Sequence, residues 1–283
     1  MHVQPLSDTT FGATVTDIHL AGLSDAEFEE LYTCWLEYAL LIFPGQHLSN
    51  DEQTHFAQRF GALEFDLAPI SNVRKDGTVR NDHPDDGVVQ VLKGNMGWHH
   101  DSTYMPVQAK GAVFTAHVIP DSGGATGWAD MRAAYAALED SLRDKVEDLS
   151  AYHSLYYSQA RAGHTPKADD GYSGYGFHDQ KPPLRPLVKV HPETGQKNLV
   201  IGRHAYGIPG LSEQASETLL EELVAFACQA PRTYHHQWAV GDAVVWDNRC
   251  LMHQATPWDM SQARVMYHAR IAGDPVTEFA EHE

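Results

Sequence analysis

Between residues 88 and 271 the chain breaks into short apolar or alternating runs with turn signals between many of them. Residues 88–92, 111–119, 126–129, 187–190, 198–201, 233–238, 243–246 and 264–271 read as strands. Pro120-Asp121-Ser122-Gly123-Gly124, His191-Pro192-Glu193-Thr194-Gly195 and Gly241-Asp242 are the punctuation. Only two helical patterns interrupt them, over 131–148 and 213–227, the second with Leu219, Leu220, Leu223 and Ala227 turned inward. Short strands with few helices predict a mainly β protein with peripheral helices, a two-sheet barrel of the jelly-roll type.

The first 85 residues differ. Ser24-Asp25-Ala26-Glu27 and Ser49-Asn50-Asp51-Glu52 are capping boxes. The first precedes Phe28, Leu31 and Trp35 at helical spacing; the second precedes Phe56 and Phe60, with Gly61 as the stop. Residues 39–43 form a short buried strand closed by Pro44-Gly45, and Asp76-Gly77 marks a hairpin. No repeat or linker is visible, so 1–283 reads as one domain. Residues 159–183, rich in Gly, Tyr and Asp, read as a lid whose Tyr172, Tyr175 and Phe177 pack once a ligand is bound.

Charge narrows the partners. Twenty Lys and Arg stand against 38 Asp and Glu, a formal net charge of −18. That excludes nucleic acid and an anionic membrane surface as partners, because both need clustered cations. A small anionic ligand needs a local basic cluster. Three cysteines without a CxxC pair form no disulfide framework, and the polar first ten residues show no signal peptide, so a cytoplasmic protein is expected.

The sharpest chemical signal is Trp98-His99-His100-Asp101-Ser102-Thr103-Tyr104. In a strand, alternate side chains share a face, so His99 and Asp101 project together while His100 points away. His253, just past the apolar strand that ends at Trp246, supplies a third donor. Two imidazoles and a carboxylate form the facial triad of non-haem Fe(II) oxygenases, with three positions left open. With 18 histidines a His-x-Asp match also arises by chance, and zinc could use the same ligands for hydrolysis. Arg264, opening the last strand, suits bidentate capture of a carboxylate; the plainer reading is a surface salt bridge. Thr126, just after Gly123-Gly124, could add a hydroxyl to that carboxylate or be an ordinary strand threonine.

Six ordered motifs carry a resemblance. They are Leu40-Leu41-Ile42-Phe43-Pro44-Gly45-Gln46, Phe56-Ala57-Gln58-Arg59-Phe60-Gly61, Trp98-His99-His100-Asp101-Ser102, Ser122-Gly123-Gly124-Ala125-Thr126, Trp246-Asp247-Asn248-Arg249 and Gln262-Ala263-Arg264. With them the chain resembles the taurine / 2,4-dichlorophenoxyacetate dioxygenase family, Fe(II)- and 2-oxoglutarate-dependent enzymes on a double-stranded β-helix. Ile70-Ser71-Asn72-Val73, Asp130-Met131-Arg132-Ala133-Ala134-Tyr135 and Ile201-Gly202-Arg203-His204-Ala205 are similar to its phenoxyalkanoate branch.

The resemblance implies that His99, Asp101 and His253 bind iron. It implies that Thr126 and Arg264 hold the distal carboxylate of 2-oxoglutarate, with Trp246 beside it, and that O2 is the second cosubstrate. The expected reaction hydroxylates a small anionic substrate. Its expected form is ether cleavage of an aryloxyalkanoate to a phenol and a keto acid, with succinate and CO2 as co-products. Taurine, an alkyl sulfonate or another carboxylic acid is the alternative substrate; a non-catalytic anion-binding barrel and a zinc hydrolase are more distant readings. One departure stands out: four residues after Arg264, where the taurine pattern has an arginine for the substrate anion, this chain has His268. The candidates for that role are His268, Arg270, Arg203, His204, Lys93 and Asn95. A homo-oligomer is implied by the resemblance alone.

Overall fold

The structure is a computed structural model that describes residues 1–80, 82–83, 85–163, 175–176 and 180–280. Two antiparallel sheets face each other, as the short-strand pattern requires. The larger has seven strands in the order His2–Pro5, Ala13–Thr16, Leu40–Phe43, Ala243–Asp247, Gly111–Val118, Val265–Ile271 and Ala68–Ser71. Among the described residues only the pairing of Ala13–Thr16 with Leu40–Phe43 is parallel. The smaller has Thr126–Asp130 at its centre, flanked by Thr233–His236 and Leu251–Ala255.

Strand alternation divides the apolar residues between layers. On Ala243–Asp247 and its neighbour Gly111–Val118, Val245 and Val113 face outward. There they pack with Leu31, Trp35 and Phe56 of the helices Asp25–Tyr38 and Asn50–Gln58. Val244, Trp246, Ala112 and Phe114 face inward and meet Trp128, Trp238 and Met266 between the sheets. A third cluster sits behind the smaller sheet, where Leu219, Leu220 and Leu223 of Glu213–Ala227 cover Ala129, Leu199 and Met252. The layers therefore run helix, sheet, barrel interior, sheet, helix.

Both capping boxes form, with Ser24 and Ser49 each accepting from the N3 backbone and the glutamates reaching back. Gly77 adopts φ +86° in the turn between Val73 and Val79, as the Asp-Gly signal predicts. Two expectations fail. Residues 88–92 belong to a helix, Gly87–Gly94, because Asp86 caps it by accepting from the backbone N–H groups of Val88 and Val89. The helix read over 131–148 is two short ones, Met131–Ala136 and Asp140–Val146. Sequence reading also misses the helix Leu155–Arg161. Of the stretch read as a lid, its start is helical and Tyr175 is placed, whereas Tyr172 and Phe177 lie outside the described residues. All three cysteines are free.

Candidate metal and anion site

The barrel interior opens into a cavity of about 80 Å³ lined by His99, Asp101, His253, Thr126, Arg264 and Trp246. These are the six residues that sequence reading singled out for the metal and its cosubstrate. His253 arrives on Leu251–Ala255, and its backbone exchanges two hydrogen bonds with His99, N to O at 2.8 and 3.0 Å. Only this single bridge at His99 is strand-like. Asp101 lies in a turn, so strand alternation alone does not aim it.

What aims Asp101 is local. Asn248 fixes its backbone: Asp101 N donates to Asn248 Oδ1 at 2.7 Å, and Asn248 Nδ2 donates to Asp101 O at 3.0 Å. Ser102, the next residue, takes φ +59°, a left-handed conformation that a non-glycine residue holds only where its surroundings impose it. His100 points away as expected, its Nδ1 donating to the Asn248 carbonyl at 2.8 Å. Gly202 permits the opposite wall to close up. Its φ is +117°, and a Cβ there would stand 2.8 Å from the Trp98 carbonyl oxygen and 3.2 Å from the His99 Cα.

The donor atoms converge. His99 Nε2 lies 4.0 Å from Asp101 Oδ1, and His253 Nε2 lies 3.8 Å from Asp101 Oδ2. Each of the three offers an atom within 4.8 Å of the others. His99 Nδ1 donates to the Gly97 carbonyl at 2.7 Å, which leaves the Nε2 lone pair facing the cavity. Burial pushes both imidazoles well below their usual pKa of 6.5, so both are neutral. Burial alone would raise the Asp101 carboxyl. The Arg270 guanidinium, 2.9 Å away, is the main group that outweighs it and holds the carboxyl below its ordinary value. Asp101 Oδ2 is buried and has no hydrogen-bond partner among the described residues. A carboxylate oxygen left bare beside two neutral imidazole lone pairs fits a divalent cation.

The second half of the cavity fits an anion. Arg264 is 2% exposed. Its Nε donates to the Gly124 carbonyl at 3.2 Å, and its Nη2 has no partner among the described residues. Burial pushes its pKa down to about 10. The surface salt bridge is thereby ruled out: a buried unpaired guanidinium is costly until an anion reaches it. Thr126, also buried, lines the same cavity. Trp246 stacks parallel to His268, with rings 2° apart and centroids at 5.6 Å.

The six candidates for the substrate anion separate. His204, His268, Arg270 and Asn95 line the cavity. Lys93 pairs with Asp82 near the surface at 2.5 Å. Arg203 lines a separate cavity behind the Gly97-Trp98 wall. Burial lowers His268 to about 4 and His204 well below 6.5, so both are neutral. Ser158 Oγ donates to the Leu155 carbonyl and therefore accepts from His204 Nδ1 at 2.8 Å, which turns an acceptor lone pair at His204 Nε2 outward. Arg270 and Arg264 are the only described residues lining the cavity that carry fixed positive charge. Arg270 lies against the mutually packed rings of Phe65 and Tyr175, at 5.0 and 5.4 Å, and its Nε lies 3.8 Å from Glu64.

Sequence reading missed the apolar wall of Ile70, Val91, Tyr104 and Leu155, and the buried Gln159 beside it. Tyr104 stands within the Trp98–Tyr104 motif; the others sit on elements misread or missed. A second His-Asp-Cys grouping, His191, Asp247 and Cys250, is no metal site, because Arg249 and His191 already occupy both Asp247 oxygens.

Residues 2–270 match the family described as taurine catabolism dioxygenase TauD, TfdA. The (S)-phenoxypropionate/alpha-ketoglutarate-dioxygenase of Sphingobium herbicidovorans is 63% identical over 279 residues, covering 98% of this chain and 97% of that one. The protein of the same name from Delftia acidovorans is 59% identical over 277 residues, 96% and 95% of the two chains. The crystal structure of AAD-2 in complex with Mn(II) and N-oxalylglycine superposes with a TM-score of 0.90 over the whole of both chains, at 35% identity.

Proposed function

The chain belongs to the TauD/TfdA dioxygenase family, and from that premise we propose that it cleaves the ether bond of an (S)-2-aryloxypropionate. It is a 2-oxoglutarate-dependent non-haem iron dioxygenase, using Fe(II), 2-oxoglutarate and O2. The substrate assignment draws on the two relatives at 63% and 59% identity. The observation that carries the reading of the site is the pair of buried guanidiniums in one cavity, Arg264 unpaired and Arg270 beside Asp101. Two anions, a cosubstrate and a substrate carboxylate, need two cations.

In this reading His99, Asp101 and His253 hold the iron, which when bound with 2-oxoglutarate and O2 supplies the oxidising power for C–H hydroxylation. Arg264 and Thr126 take the distal carboxylate of 2-oxoglutarate. Arg270 takes the substrate carboxylate, and the apolar wall of Ile70, Val91 and Leu155 takes the aryl ring. Together these contacts aim the carbon that bears the ether oxygen, and aiming is what the protein contributes. Hydroxylation there gives a hemiketal, which collapses to a phenol and pyruvate. The balance is one O2, one 2-oxoglutarate and one aryloxypropionate giving succinate, CO2, phenol and pyruvate. Burial of the cavity residues excludes the water that would waste the oxidant.

The test is succinate and phenol release by Fe(II)-loaded protein offered (R)- and (S)-2-aryloxypropionates, aryloxyacetates, taurine and alkyl sulfonates. Equal succinate and phenol from the (S) enantiomer is the expected result. Turnover of the sulfonates alone would overturn the substrate assignment.

A further inference from the structure

Thr126 Oγ1 accepts a hydrogen bond from the indole Nε1 of Trp238 at 3.0 Å, and both residues are buried. A hydroxyl has one hydrogen to give. With Trp238 donating into the oxygen, that hydrogen must leave in another direction, and no described residue accepts it. Thr126 lines the cavity beside Arg264.

Trp238 is itself held from three sides. Phe114 meets it edge-on at 5.5 Å, and Trp128 lies at 6.4 Å. His236 stands perpendicular to it at 4.7 Å. His236 Nε2 is pinned to Asp242 Oδ2 at 3.0 Å, and the Asp242 carboxylate also accepts from the backbone N–H groups of Ala239 and Gly45. A turn between strands thus fixes an imidazole, the imidazole fixes an indole, and the indole fixes a hydroxyl.

We propose that Trp238 is a positioning residue for the cosubstrate: its indole N–H turns the Thr126 hydroxyl hydrogen into the cavity, toward the carboxylate that Arg264 binds. The inference rests on the reading that Thr126 and Arg264 hold 2-oxoglutarate. It adds a residue that touches neither metal nor cosubstrate yet sets the direction of one hydrogen bond to it. Without Trp238 the hydroxyl rotates freely, and the bond must be made at the cost of ordering it.

The experiment is calorimetric titration of Mn(II)-loaded protein with N-oxalylglycine. Trp238→Phe keeps the aromatic contacts and removes the donor. Its affinity should fall about three- to tenfold, the range of one ordinary hydrogen bond. Thr126→Val should lose a similar factor, Thr126→Ser should bind as wild type, and the double variant Trp238→Phe/Thr126→Val should be no weaker than Thr126→Val. In the iron enzyme Trp238→Phe should raise KM for 2-oxoglutarate by the same factor, leaving kcat and the KM for the aryloxypropionate unchanged. A purely structural role would not produce that split. Wild-type affinity in Trp238→Phe alongside weakened Thr126→Val, or losses that multiply in the double variant, would remove Trp238 from the site. Wild-type affinity in Thr126→Val would overturn the cosubstrate reading itself, and the inference with it. If Trp238→Phe does not fold, the indole N–H signals of 15N-tryptophan-labelled protein decide. Thr126→Val should move one of them upfield and speed its exchange while Thr126→Ser leaves it in place; no movement would overturn the proposal.

Discussion

Asn248 grips Asp101 by both of its backbone groups, accepting from the N–H at 2.7 Å and donating to the carbonyl at 3.0 Å. Its remaining amide hydrogen goes to the Ala109 carbonyl at 2.9 Å. Asn248 follows the strand that carries Trp246 and precedes the one that carries His253. One side chain thus ties the segment bearing two of the proposed metal ligands to the segment bearing the third. Asn248→Asp keeps the acceptor for Asp101 N but loses both donations. It should weaken Mn(II) binding about 10- to 100-fold, the usual cost of removing an outer partner of a metal ligand. Asn248→Ala should do the same, and both variants should melt lower: the alanine leaves Asp101 N buried without a partner, and the aspartate sets a buried carboxylate oxygen against the Asp101 and Ala109 carbonyls. Calorimetric Mn(II) titration beside thermal melting separates the two effects; an Asn248→Asp variant with wild-type affinity would show that the clamp is only structural.

The proposed ligands were legible because their chemistry is written in residue types, and the jelly roll because short strands leave turn residues between them. The reason given for pairing His99 with Asp101 was only half right. Alternation reaches His99, but Asp101 is turned inward by Asn248 and by the left-handed backbone at Ser102. Asn248 lies 147 residues away, too far to pair with Asp101 from a single sequence, and a serine is not a residue type that signals a left-handed backbone. The apolar wall was lost for another reason. Val88, Val89, Val91 and Leu92 are β-branched or apolar enough to suit a strand, and the Asp86 cap decides for a helix. Conversely, Arg264 could not be told from a surface residue until its burial was known.

Arg264 carries a testable imbalance. Its guanidinium is buried and short of a partner, so the protein without cosubstrate bears the cost of an uncompensated charge. Arg264→Met, of similar length, removes that cost. Its melting temperature without ligand should equal or exceed that of wild type, while N-oxalylglycine affinity falls by at least about a hundredfold, as when one member of a buried charged pair is truncated. The wild type should gain about 2.7 kcal/mol of stability at a hundred times its Kd, and the variant at most about 0.4 kcal/mol at that concentration. A strongly destabilised variant would mean that Arg264 serves packing first.

Arg270 stands between two partners. It donates to Asp101 Oδ1 at 2.9 Å and lines the cavity where the substrate carboxylate is proposed to sit. As a cation touching a metal ligand, it competes with the metal for the carboxylate charge. Arg270→Gln should therefore bind Mn(II) no more weakly than wild type. Its KM for an (S)-2-aryloxypropionate should rise at least about tenfold, the loss of one charge-assisted hydrogen bond. N-Oxalylglycine affinity should stay within twofold, because Arg264 is untouched. Steady-state kinetics and calorimetry on one preparation check all three. A loss of metal affinity with unchanged KM would make Arg270 a support for Asp101 rather than a substrate contact.

His153 sets a pH dependence that is independent of the metal. Its ring is fully buried in the strand Ser150–His153, and neither nitrogen has a partner among the described residues. Burial, helped by the Arg185 guanidinium, pushes its pKa well below 6.5. In the unfolded chain it titrates near 6.5. Below that pH the unfolded state binds a proton that the folded state refuses, so stability is full above about 6.5 and declines as pH falls. At pH 5, about 1.5 units lower, one such group costs up to about 2 kcal/mol, which for a chain of this size is up to roughly 4 °C in melting temperature. His153→Leu, of comparable volume and without polar atoms, should melt at or above the wild-type temperature at pH 7.5. Its fall between pH 7.5 and 5 should be smaller by that amount, measured with a chelator present so that the ligand histidines contribute equally to both proteins. Parallel curves for the two proteins would show that His153 finds a proton acceptor in the folded state after all.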